Sequence, residues 1–362
     1  MRISQLTLRQ FRNYPKAHFQ FSPGTNVIVG QNANGKTNLI EAIYLLSVAK
    51  SFRTRINTEM VMFDTSFAKI EGDVDAHSRH YHLEMVLSQE GKRAKVNGHE
   101  MTKSSDFVGI INVVVFTPDD LFLIKGSPRE RRRFMDIELS KLSNSYLYHF
   151  NQFSHLLKER NLYLKSEKID PVYLDVLTSQ LVDEQLILIA RRESFVSKLN
   201  VEAQKAYARI ASQKESMTVT YQSGFDLTAS DLRQSLMHTY AHDRERDIRF
   251  GMTHHGIHKD DLMIALNERE AHLYASQGQQ RSIVLALKIA LLQLIFDEIG
   301  EYPILLLDDV LSELDDRRKT MLLDLLNDKI QTFITTTSLE GLSHQVISRA
   351  YKIEIRNRKE SR

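Results

Sequence analysis

The sequence feature that most constrains this chain is the segment from residue 30 to residue 37, Gly-Gln-Asn-Ala-Asn-Gly-Lys-Thr. It fits the pattern G-x-x-x-x-G-K-[ST] at every fixed position. Residues 25–29 end in a Val-Ile-Val run that is typical of a buried strand, and residues 38–49 place apolar side chains at helical spacing. Because a strand, a glycine loop and a helix are the context this pattern requires, we predict a nucleoside triphosphate site.

Each fixed residue of the loop has a chemical role. Gly30 and Gly35 allow the backbone to curl so that amide N–H groups converge on a phosphate at a helix N-terminus. Lys36 is predicted to reach the β- and γ-phosphates, and the Thr37 hydroxyl to coordinate Mg²⁺. The residues predicted to bind the nucleotide through the loop are Gly30, Gln31, Asn32, Ala33, Asn34, Gly35, Lys36 and Thr37.

Two later segments belong with the loop. Residues 304–309 form an apolar strand that ends in Asp308 and Asp309. A carboxylate after a buried strand beside a phosphate loop is a Mg²⁺-anchoring arrangement, so Asp308 is the predicted metal ligand and Asp309 is placed to act on attacking water. Residues 276–282 put a Ser-x-Gly sequence at the start of an apolar helix, which is either a second anion-binding device or simply an N-capped helix start.

Composition limits the protein class. A chain of 362 residues with 42% hydrophobic residues is long enough for two domains, or for one large domain with an insertion. A formal charge of +2 means that any nucleic-acid surface is a local patch, and the lack of cysteine excludes disulfides and thiolate sites. Because no apolar run approaches about 18 residues and the N-terminus lacks a signal-peptide core, we expect a cytoplasmic protein without membrane partners.

The N-terminal region is predicted to be rich in strands. Residues 3–8 and 17–21 alternate as two strands around a turn at 12–15, and residues 68–96 have the pattern of an antiparallel meander. Arg12 would lie near the nucleotide if the first hairpin packs beside the phosphate loop, and is otherwise a surface arginine. Histidines 77, 80 and 82 invite a metal assignment, but alternate strand residues point to opposite faces, so we expect surface histidines.

A basic helix is predicted to follow residue 127. Ser127 and Glu130 have the spacing of a capping box, and Pro128 suits the first helical position. Cations near a helix N-terminus oppose the macrodipole, which favours an anionic partner such as DNA; a solvated or ion-paired face is the alternative. The arginines assigned to DNA contact are Arg129, Arg131, Arg132 and Arg133.

The middle of the chain is predicted to be an inserted helical arm. Residues 140–212 have helical spacing interrupted at Pro171, which favours a helical hairpin, and a strand at 216–221 and a helix at 232–249 follow. Residues 252–261 carry three histidines and two aspartates; we expect a polar loop near the nucleotide edge, with a metal site as the alternative.

Taken together, these segments resemble the ATP-binding-cassette heads of the structural-maintenance-of-chromosomes and Rad-fifty type, and most closely the bacterial RecF family. The segments that carry the resemblance are 8–14 (LRQFRNY), 34–44 (NGKTNLIEAIY), 118–121 (PDDL), 125–136 (KGSPRERRRFMD), 276–281 (SQGQQR) and 306–315 (LLDDVLSELD). The chain departs from the family pattern at Phe52, where a histidine is usual, and at Ile257 and Lys259, where proline and arginine are usual.

The resemblance implies an α/β fold: an ABC-type P-loop ATPase head, formed by residues 1–125 and 251–362, with a mixed sheet and an antiparallel β-subdomain. Residues 126–250 would be the inserted, mainly helical arm. It also implies that Ser276, Gly278 and Gln279 of one subunit cap the ATP bound by Lys36 and Thr37 of another, and that residues 312–315 cross the dimer interface.

The implied function is an ATP-dependent DNA-binding protein of recombinational repair and replication-gap processing. An ATP-induced homodimer would clamp single- or double-stranded DNA and gaps, promote RecA loading with RecR and RecO, and be released by weak, DNA-stimulated ATP hydrolysis. Lys36, Asp308 and Asp309 would be the catalytic residues, with ATP and Mg²⁺ as cofactors, in a nucleoid-associated protein. Two alternatives stay open: a non-hydrolysing DNA scaffold, and the ATPase subunit of a transporter.

Overall fold

A computed structural model describes residues 1–211, 215–325, 329–338 and 344–356. The strands are β1 (Arg2–Phe11), β2 (Tyr14–Gln20), β3 (Thr25–Val29), β4 (Phe67–Ala76), β5 (Arg79–Ser88), β6 (Gly91–Val96), β7 (His99–Glu100), β8 (Val113–Phe116), β9 (Met217–Gln222), β10 (Asp261–Leu266), β11 (Arg269–Glu270), β12 (Ile304–Asp308), β13 (Thr332–Thr336) and β14 (Tyr351–Glu354). The helices are α1 (Lys36–Val48), α2 (Phe122–Lys125), α3 (Pro128–Leu142), α4 (Asn144–Tyr163), α5 (Pro171–Ile210), α6 (Leu232–His242), α7 (Arg244–Phe250), α8 (Ala271–Tyr274), α9 (Gln277–Ile299), α10 (Asp316–Leu325) and α11 (Gln345–Arg349).

A parallel sheet in the order β14-β3-β13-β12-β8 carries the nucleotide-site motifs. All five residues of β12 are buried, as expected for a central strand covered on both faces. In the register of the sheet, Val29 lies opposite Thr336 and Asp308 lies opposite Thr335. The carboxyl ends of β3, β13 and β12 therefore meet at one edge of the sheet, where the phosphate loop begins.

A second, antiparallel sheet in the order β2-β1-β4-β5-β6-β7 packs over α1. It contains the predicted meander, and its alternating apolar side chains face the helix. Gly72 has no side chain at the point of closest approach, where a Cβ atom would lie 2.6 Å from Cδ1 of Leu46. A parallel sheet beside an antiparallel β-subdomain is the mixed architecture that the sequence predicts.

Helices dominate the segment between α2 and β10. The predicted hairpin is present as α4 and α5, and Asp170 caps α5 by accepting from Val172 N at 2.9 Å, with Pro171 at the first helical position. Helix α5 runs for 40 residues and ends at Ile210, within the region of predicted helical spacing. The helix predicted for 232–249 is two helices, α6 and α7, which meet at Asp243.

One local prediction is wrong. Ser127 precedes α3, but no capping box forms, because the Glu130 N–H bonds the Ser127 carbonyl oxygen (3.0 Å) instead of its hydroxyl. A complete capping box is found instead at Thr117 and Asp120, at the start of the short helical turn that leads into α2.

Buried lysines tie the helices to the edge of the parallel sheet. Lys141 of α3 donates to the Val113 carbonyl oxygen (2.8 Å), and Lys288 of α9 donates to that of Val115 (2.6 Å). These carbonyls lie on the side of β8 that has no neighbouring strand, so the two ammonium groups satisfy acceptors that would otherwise be buried without a partner.

The helical segment also shares a sheet and packing contacts with the remainder of the chain. Strand β9 pairs with β10 in a three-stranded sheet, and α5 packs along α9. The predicted boundary at residue 250 thus separates two strands of one sheet. The division into a head (1–125 and 251–362) and an arm (126–250) stays a prediction. Within the described residues, no helix is both long and apolar enough to cross a bilayer.

Gln331 links the two large sheets. Its buried side chain accepts from Ile3 N (2.7 Å) and donates to the carbonyl oxygens of Ile3 and Ser22 (2.8 Å each). We expect Gln331→Leu to lower the free energy of unfolding by about 2 kcal/mol, because the N–H and carbonyl groups of Ile3 lose this partner, while the Ser22 carbonyl keeps Asn26 Nδ2 (2.9 Å). Urea unfolding measures this, with the exposed Gln204→Leu as control. Equal stability of the two variants would show that water replaces the side chain.

Candidate nucleotide site

The loop from Gly30 to Gly35 has the conformation that its glycines predict. Gly35 has φ of +105°, and a Cβ there would lie 2.9 Å from the Tyr14 hydroxyl; a Cβ on Gly30 would lie 2.7 Å from the Ile355 carbonyl oxygen. The Tyr14 hydroxyl donates to the Gly35 carbonyl (3.0 Å), and Asn13 Nδ2 donates to that of Asn34 (3.1 Å). The turn between β1 and β2 therefore braces the loop from outside.

Lys36 lies inside the curve of the loop. Its Nζ donates to the carbonyl oxygens of Gly30 (2.6 Å) and Gln31 (3.0 Å). Burial lowers the pKa of Lys36, and the nearby carboxylates of Asp309 and Asp308 oppose that shift. The ammonium is thus preorganised at the position where a phosphate-binding lysine is needed, next to the two predicted acids.

Asp308 connects three elements at the carboxyl edge of the parallel sheet. Its Oδ1 accepts from Thr37 Oγ1 of α1 (3.1 Å) and from Thr335 Oγ1 of β13 (2.8 Å). Burial raises the pKa of Asp308, while the two hydroxyl groups act in the opposite direction. Thr335, in β13, therefore supports the acid through its hydroxyl group.

Asp309 is exposed, although it lies near Lys36. Its backbone is left-handed, with φ of +56°, its N–H donates to Thr335 Oγ1 (2.9 Å), and its side chain is exposed. Ser312 Oγ donates to the Asp309 carbonyl oxygen (2.7 Å). The two neighbouring acids are therefore separated into a buried carboxylate beside Thr37 and a solvent-facing one at the rim.

The donor set at Thr37 and Asp308 suits Mg²⁺. The hydroxyl and the carboxylate are hard oxygen ligands already within 3.1 Å of each other, and Mg²⁺ usually takes one or two protein oxygens and completes its shell with phosphate and water. These two residues would hold the ion. Among the described residues, no three His, Asp or Glu side chains form a separate metal-binding group.

Sequence reasoning missed Glu41, which organises the region behind the loop. This carboxylate of α1 is fully buried; it accepts from Arg12 Nη2 (2.7 Å) and Nε (2.9 Å) and from Arg53 Nη1 (3.2 Å), and the Ser51 hydroxyl also donates to it. Arg12 additionally donates to the Glu59 carbonyl oxygen (2.6 Å). The detectable signal was a lone acid within the apolar helix 38–49, since a buried carboxylate requires cationic partners.

This arrangement fixes where Arg12 and Phe52 lie. Arg12 is held against α1 less than two turns after the loop, so the hairpin does pack beside the loop, with the guanidinium turned to Glu41. Phe52, at the position where histidine is usual, packs edge-on against Tyr44 with ring centres 5.4 Å apart.

The predicted signature residues form the start of α9. Ser276 and Gln279 make a capping box, in which Ser276 N donates to Gln279 Oε1 (2.8 Å), and the space beside Gly278 is open apart from Arg318. Ser276 is exposed. In the described part of the chain, no hydrogen bond joins Ser276, Gly278 or Gln279 to the phosphate loop.

The four arginines of α3 have different surroundings. Arg131 forms a bidentate ion pair with Asp261 (2.7 and 2.8 Å) and also donates to the Gly126 carbonyl oxygen. Arg132 donates to the Asp260 carbonyl oxygen (2.7 Å), and burial lowers its pKa. Arg133 makes a long contact to Ser51 O (3.5 Å), and Arg129 is exposed.

The loop 252–261 accepts hydrogen bonds from arginines of α4 and α5, whereas we expected it to lie near the nucleotide edge. Arg160 of α4 donates to Thr253 Oγ1 (2.6 Å), and Arg192 of α5 donates to the Ile257 carbonyl oxygen (2.8 Å). The reason is that both arginines are fully buried and require acceptors, which this loop supplies. Two histidines of the loop pair with single aspartates, His254 with Asp247 and His255 with Asp243, while Nε2 of His258 contacts the Thr253 carbonyl oxygen (3.1 Å).

The chain is similar in sequence to a family of known proteins. The family described as "RecF/RecN/SMC N terminal domain" matches residues 2–362. The chain is 43% identical over 365 residues to the DNA replication and repair protein RecF of Bacillus subtilis, covering 99% of each chain. It is 42% identical to the RecF protein of Bacillus velezensis, again over 99% of both chains.

Solved structures agree with this. The recombination mediator protein RecF with ATPrS, in the RecFOR pathway, superimposes with a TM-score of 0.90 at 31% identity, covering 98% of this chain and 96% of the other. The Smc head domain of Pyrococcus furiosus matches with a TM-score of 0.54 at 16% identity, covering 98% and 94%, which shows the ATPase-head fold alone. The predicted fold class is confirmed.

The Glu41 cluster can be tested by removing its charge. We expect Glu41→Gln to lower the free energy of unfolding by about 3 kcal/mol, because Arg12 and Arg53 lose the carboxylate they share in a buried position. Urea unfolding checks this, and Glu59→Gln, an exposed acid of the same region, is the control. A loss below about 1 kcal/mol, the range of surface ion pairs, would contradict a structural role for the cluster.

Proposed function

The chain belongs to the RecF family of DNA replication and repair proteins, and from this premise we propose that it is an ATP-dependent DNA-binding protein of recombinational repair and replication-gap processing. The observation that carries the proposal is the meeting of Lys36, Thr37 and Asp308 at one edge of the parallel sheet. A related solved structure is that of RecF-ATP in the RecFOR pathway, which supports ATP as the nucleotide.

Each residue of the site has a proposed task. The loop amides and Lys36 bind the β- and γ-phosphates, and Thr37 and Asp308 hold Mg²⁺, which when bound neutralises phosphate charge. Thr335 keeps the Asp308 carboxylate aimed at Thr37 through its hydrogen bond. Asp309, at the exposed rim, orients attacking water and accepts its proton. An aspartate reaches less far than a glutamate, so we propose slow hydrolysis that DNA stimulates.

We propose that the site is completed by a second copy of the chain. Ser276, Gly278 and Gln279 start a helix with free space beside Gly278, and they make no hydrogen bond to the loop of their own chain within the described residues. Helix N-termini bind anions, so these residues suit the γ-phosphate of a partner's nucleotide. ATP would then join two heads around DNA, and hydrolysis would release it.

The DNA contacts are proposed for Arg129, Arg132 and Arg133. None of these three has a carboxylate within 4 Å in the described part of the chain, whereas Arg131 is committed to Asp261. Unpaired arginines on one helix are suited to phosphates. The proposed partners are gapped, single- or double-stranded DNA, RecR and RecO and, indirectly, RecA, with a cytoplasmic, nucleoid-associated location.

The alternatives differ in what they require. A non-hydrolysing scaffold would bind DNA equally with and without ATP. The exposed Asp309 argues against it, because a carboxylate at this rim can accept a proton from attacking water. Membership of the RecF family argues against a transporter subunit.

The dimer proposal can be tested by sedimentation with and without ATP·Mg²⁺, and with duplex DNA in a parallel run. We expect a monomer that dimerises with ATP, and more readily on DNA. Lys36→Met should weaken ATP binding about a hundredfold, because a contact to a charged group worth about 3 kcal/mol is lost, and should abolish dimerisation. Lys158→Met, an exposed lysine of α4, is the control. A mass unaffected by ATP would contradict capping in trans.

The basic helix can be tested by salt titration. We expect Arg132→Ala combined with Arg133→Ala to weaken DNA binding and to reduce the slope of log K against log salt by about 2, since two phosphate contacts disappear. Fluorescence anisotropy over a range of salt concentrations measures both values. The pair Arg246→Ala with Arg249→Ala, exposed on α7, is the control. A double α3 variant with unchanged affinity and slope would assign these arginines to the solvated face.

A further inference from the structure

A cavity of about 600 Å³ lies between the end of α1 with β6 on one side, and α3, α4 and the loop 256–260 on the other. Its volume is in the range of small-molecule sites. It shares no lining residue with the phosphate loop 30–37. The cavity has two chemically different parts, a cationic rim and an apolar floor.

The rim is formed by cations without acidic partners. They are Lys50, Arg55, Lys92, Arg129, Arg132 and Arg133. Within the described residues, none of the six has a carboxylate oxygen within 4 Å. Asp136, the one acid among the lining residues, is already bound by Arg192 Nη2 (2.7 Å) and the Tyr146 hydroxyl (2.6 Å). Six like charges around one opening create a strongly positive potential that favours an anion.

One of the six cations, Lys92, is half-buried. Lys92 donates from Nζ to the Ala49 carbonyl oxygen (2.6 Å), and its pKa is lowered by burial and by the neighbouring charge of Lys50. A solvated surface lysine would turn away from such a neighbour. Lys92 instead points from β6 toward the end of α1, at the mouth of the cavity.

The floor is apolar and offers one accessible aromatic ring, that of Phe150. It is lined by Val48, Leu147, Phe150, Phe153, Leu157 and Ile257. Phe150 is only half-buried, and its ring lies nearly parallel to that of Tyr146, with centres 6.0 Å apart and planes 10° apart. Inorganic phosphate would need only the rim. A nucleotide combines a planar base, which stacks on aromatic rings, with a phosphate for the cations.

We propose that this cavity, defined by Phe150 beneath the six-cation rim, is a second nucleotide site, distinct from the phosphate loop, which binds one nucleotide with its base on the floor and its phosphate at the rim. Two sources have this chemistry: a free nucleoside monophosphate, and an unpaired nucleotide of a DNA strand. Binding of an unpaired nucleotide of DNA rests on the proposed DNA contacts at Arg132 and Arg133. Binding of a free nucleoside monophosphate does not.

The experiment uses 2-aminopurine fluorescence in three probes: 2-aminopurine deoxyriboside 5′-monophosphate, duplex DNA with an unpaired 2-aminopurine at a gap, and fully paired duplex DNA containing 2-aminopurine. Excitation is free of protein interference because the chain has no tryptophan. The free nucleotide or the unpaired base is expected to be quenched by the wild-type chain. In the free-nucleotide arm, which does not depend on DNA binding, Lys36→Met with its disabled phosphate loop is expected to give the same quenching. The paired base is the reference.

Variants of the floor decide the outcome. Phe150→Ala is expected to weaken binding of the responding probe about tenfold through lost stacking. Ser154→Leu, which fills the cavity from an exposed position and removes no core side chain, is expected to do the same even if Phe150→Ala folds poorly. Tyr148→Ala, an exposed aromatic of the same helix outside the cavity, is the matched control and should bind as the wild type does.

The probes distinguish a free nucleotide from a nucleotide of a DNA strand, and a failure of the second site from a failure of the proposed function. A response of the free nucleotide identifies a small-molecule site, and a response confined to the unpaired base identifies a strand site. If DNA binding fails altogether, the proposed function is contradicted while the free-nucleotide arm still tests the cavity. If Lys50→Gln with Arg55→Gln weakens DNA binding but Phe150→Ala and Ser154→Leu leave every probe unchanged, the rim only contacts backbone phosphates, and the second site is overturned.

Discussion

The buried Asp308 carboxylate is the interaction on which the nucleotide site depends. It receives hydroxyl groups from two other elements, Thr37 after the glycine loop and Thr335 at the end of β13. These residues meet only because β3, β13 and β12 are adjacent and parallel, so that their carboxyl ends lie at one edge. Burial makes the charged form costly, and the two donors together with the nearby Lys36 compensate for it. The position proposed for Mg²⁺ is thus preorganised by the order of the strands in the sheet.

The same arrangement, a buried charge with several partners, also joins other elements of the molecule. Glu41 joins α1 to the N-terminal hairpin through Arg12, and Arg192 joins α5 to Asp136 and Asp260. Removing one partner from such a cluster leaves an uncompensated buried charge, so each cluster fixes the position of the element it joins. The phosphate loop is therefore supported on one side by the sheet and on the other by the antiparallel subdomain.

The arginines of α3 differ in whether their charge is paired, because their surroundings differ. Arg131 and Arg132 are neighbours in sequence, yet Arg131 is neutralised by Asp261, while Arg132 contacts only a carbonyl group and lines the cationic cavity. The predicted basic helix was correct as an element. Which of its charges are available to an anion depends on β10, which lies 130 residues further along the chain, and no local pattern contains that information.

The sequence by itself determined the local elements and the loop chemistry: the glycine loop, the strand ending in Asp308, the antiparallel meander and the helical hairpin follow from residue spacing and turn chemistry, which act over a few residues. Helix ends were less well defined, because the segment predicted as one helix at 232–249 is divided into α6 and α7 at Asp243. The partners of Glu41, the role of Thr335 and the cavity lined by Phe150 were decided by the tertiary structure alone. The physical reason is that charge pairing and enclosure depend on distance in space, and the residues concerned lie on strands and helices far apart in the chain.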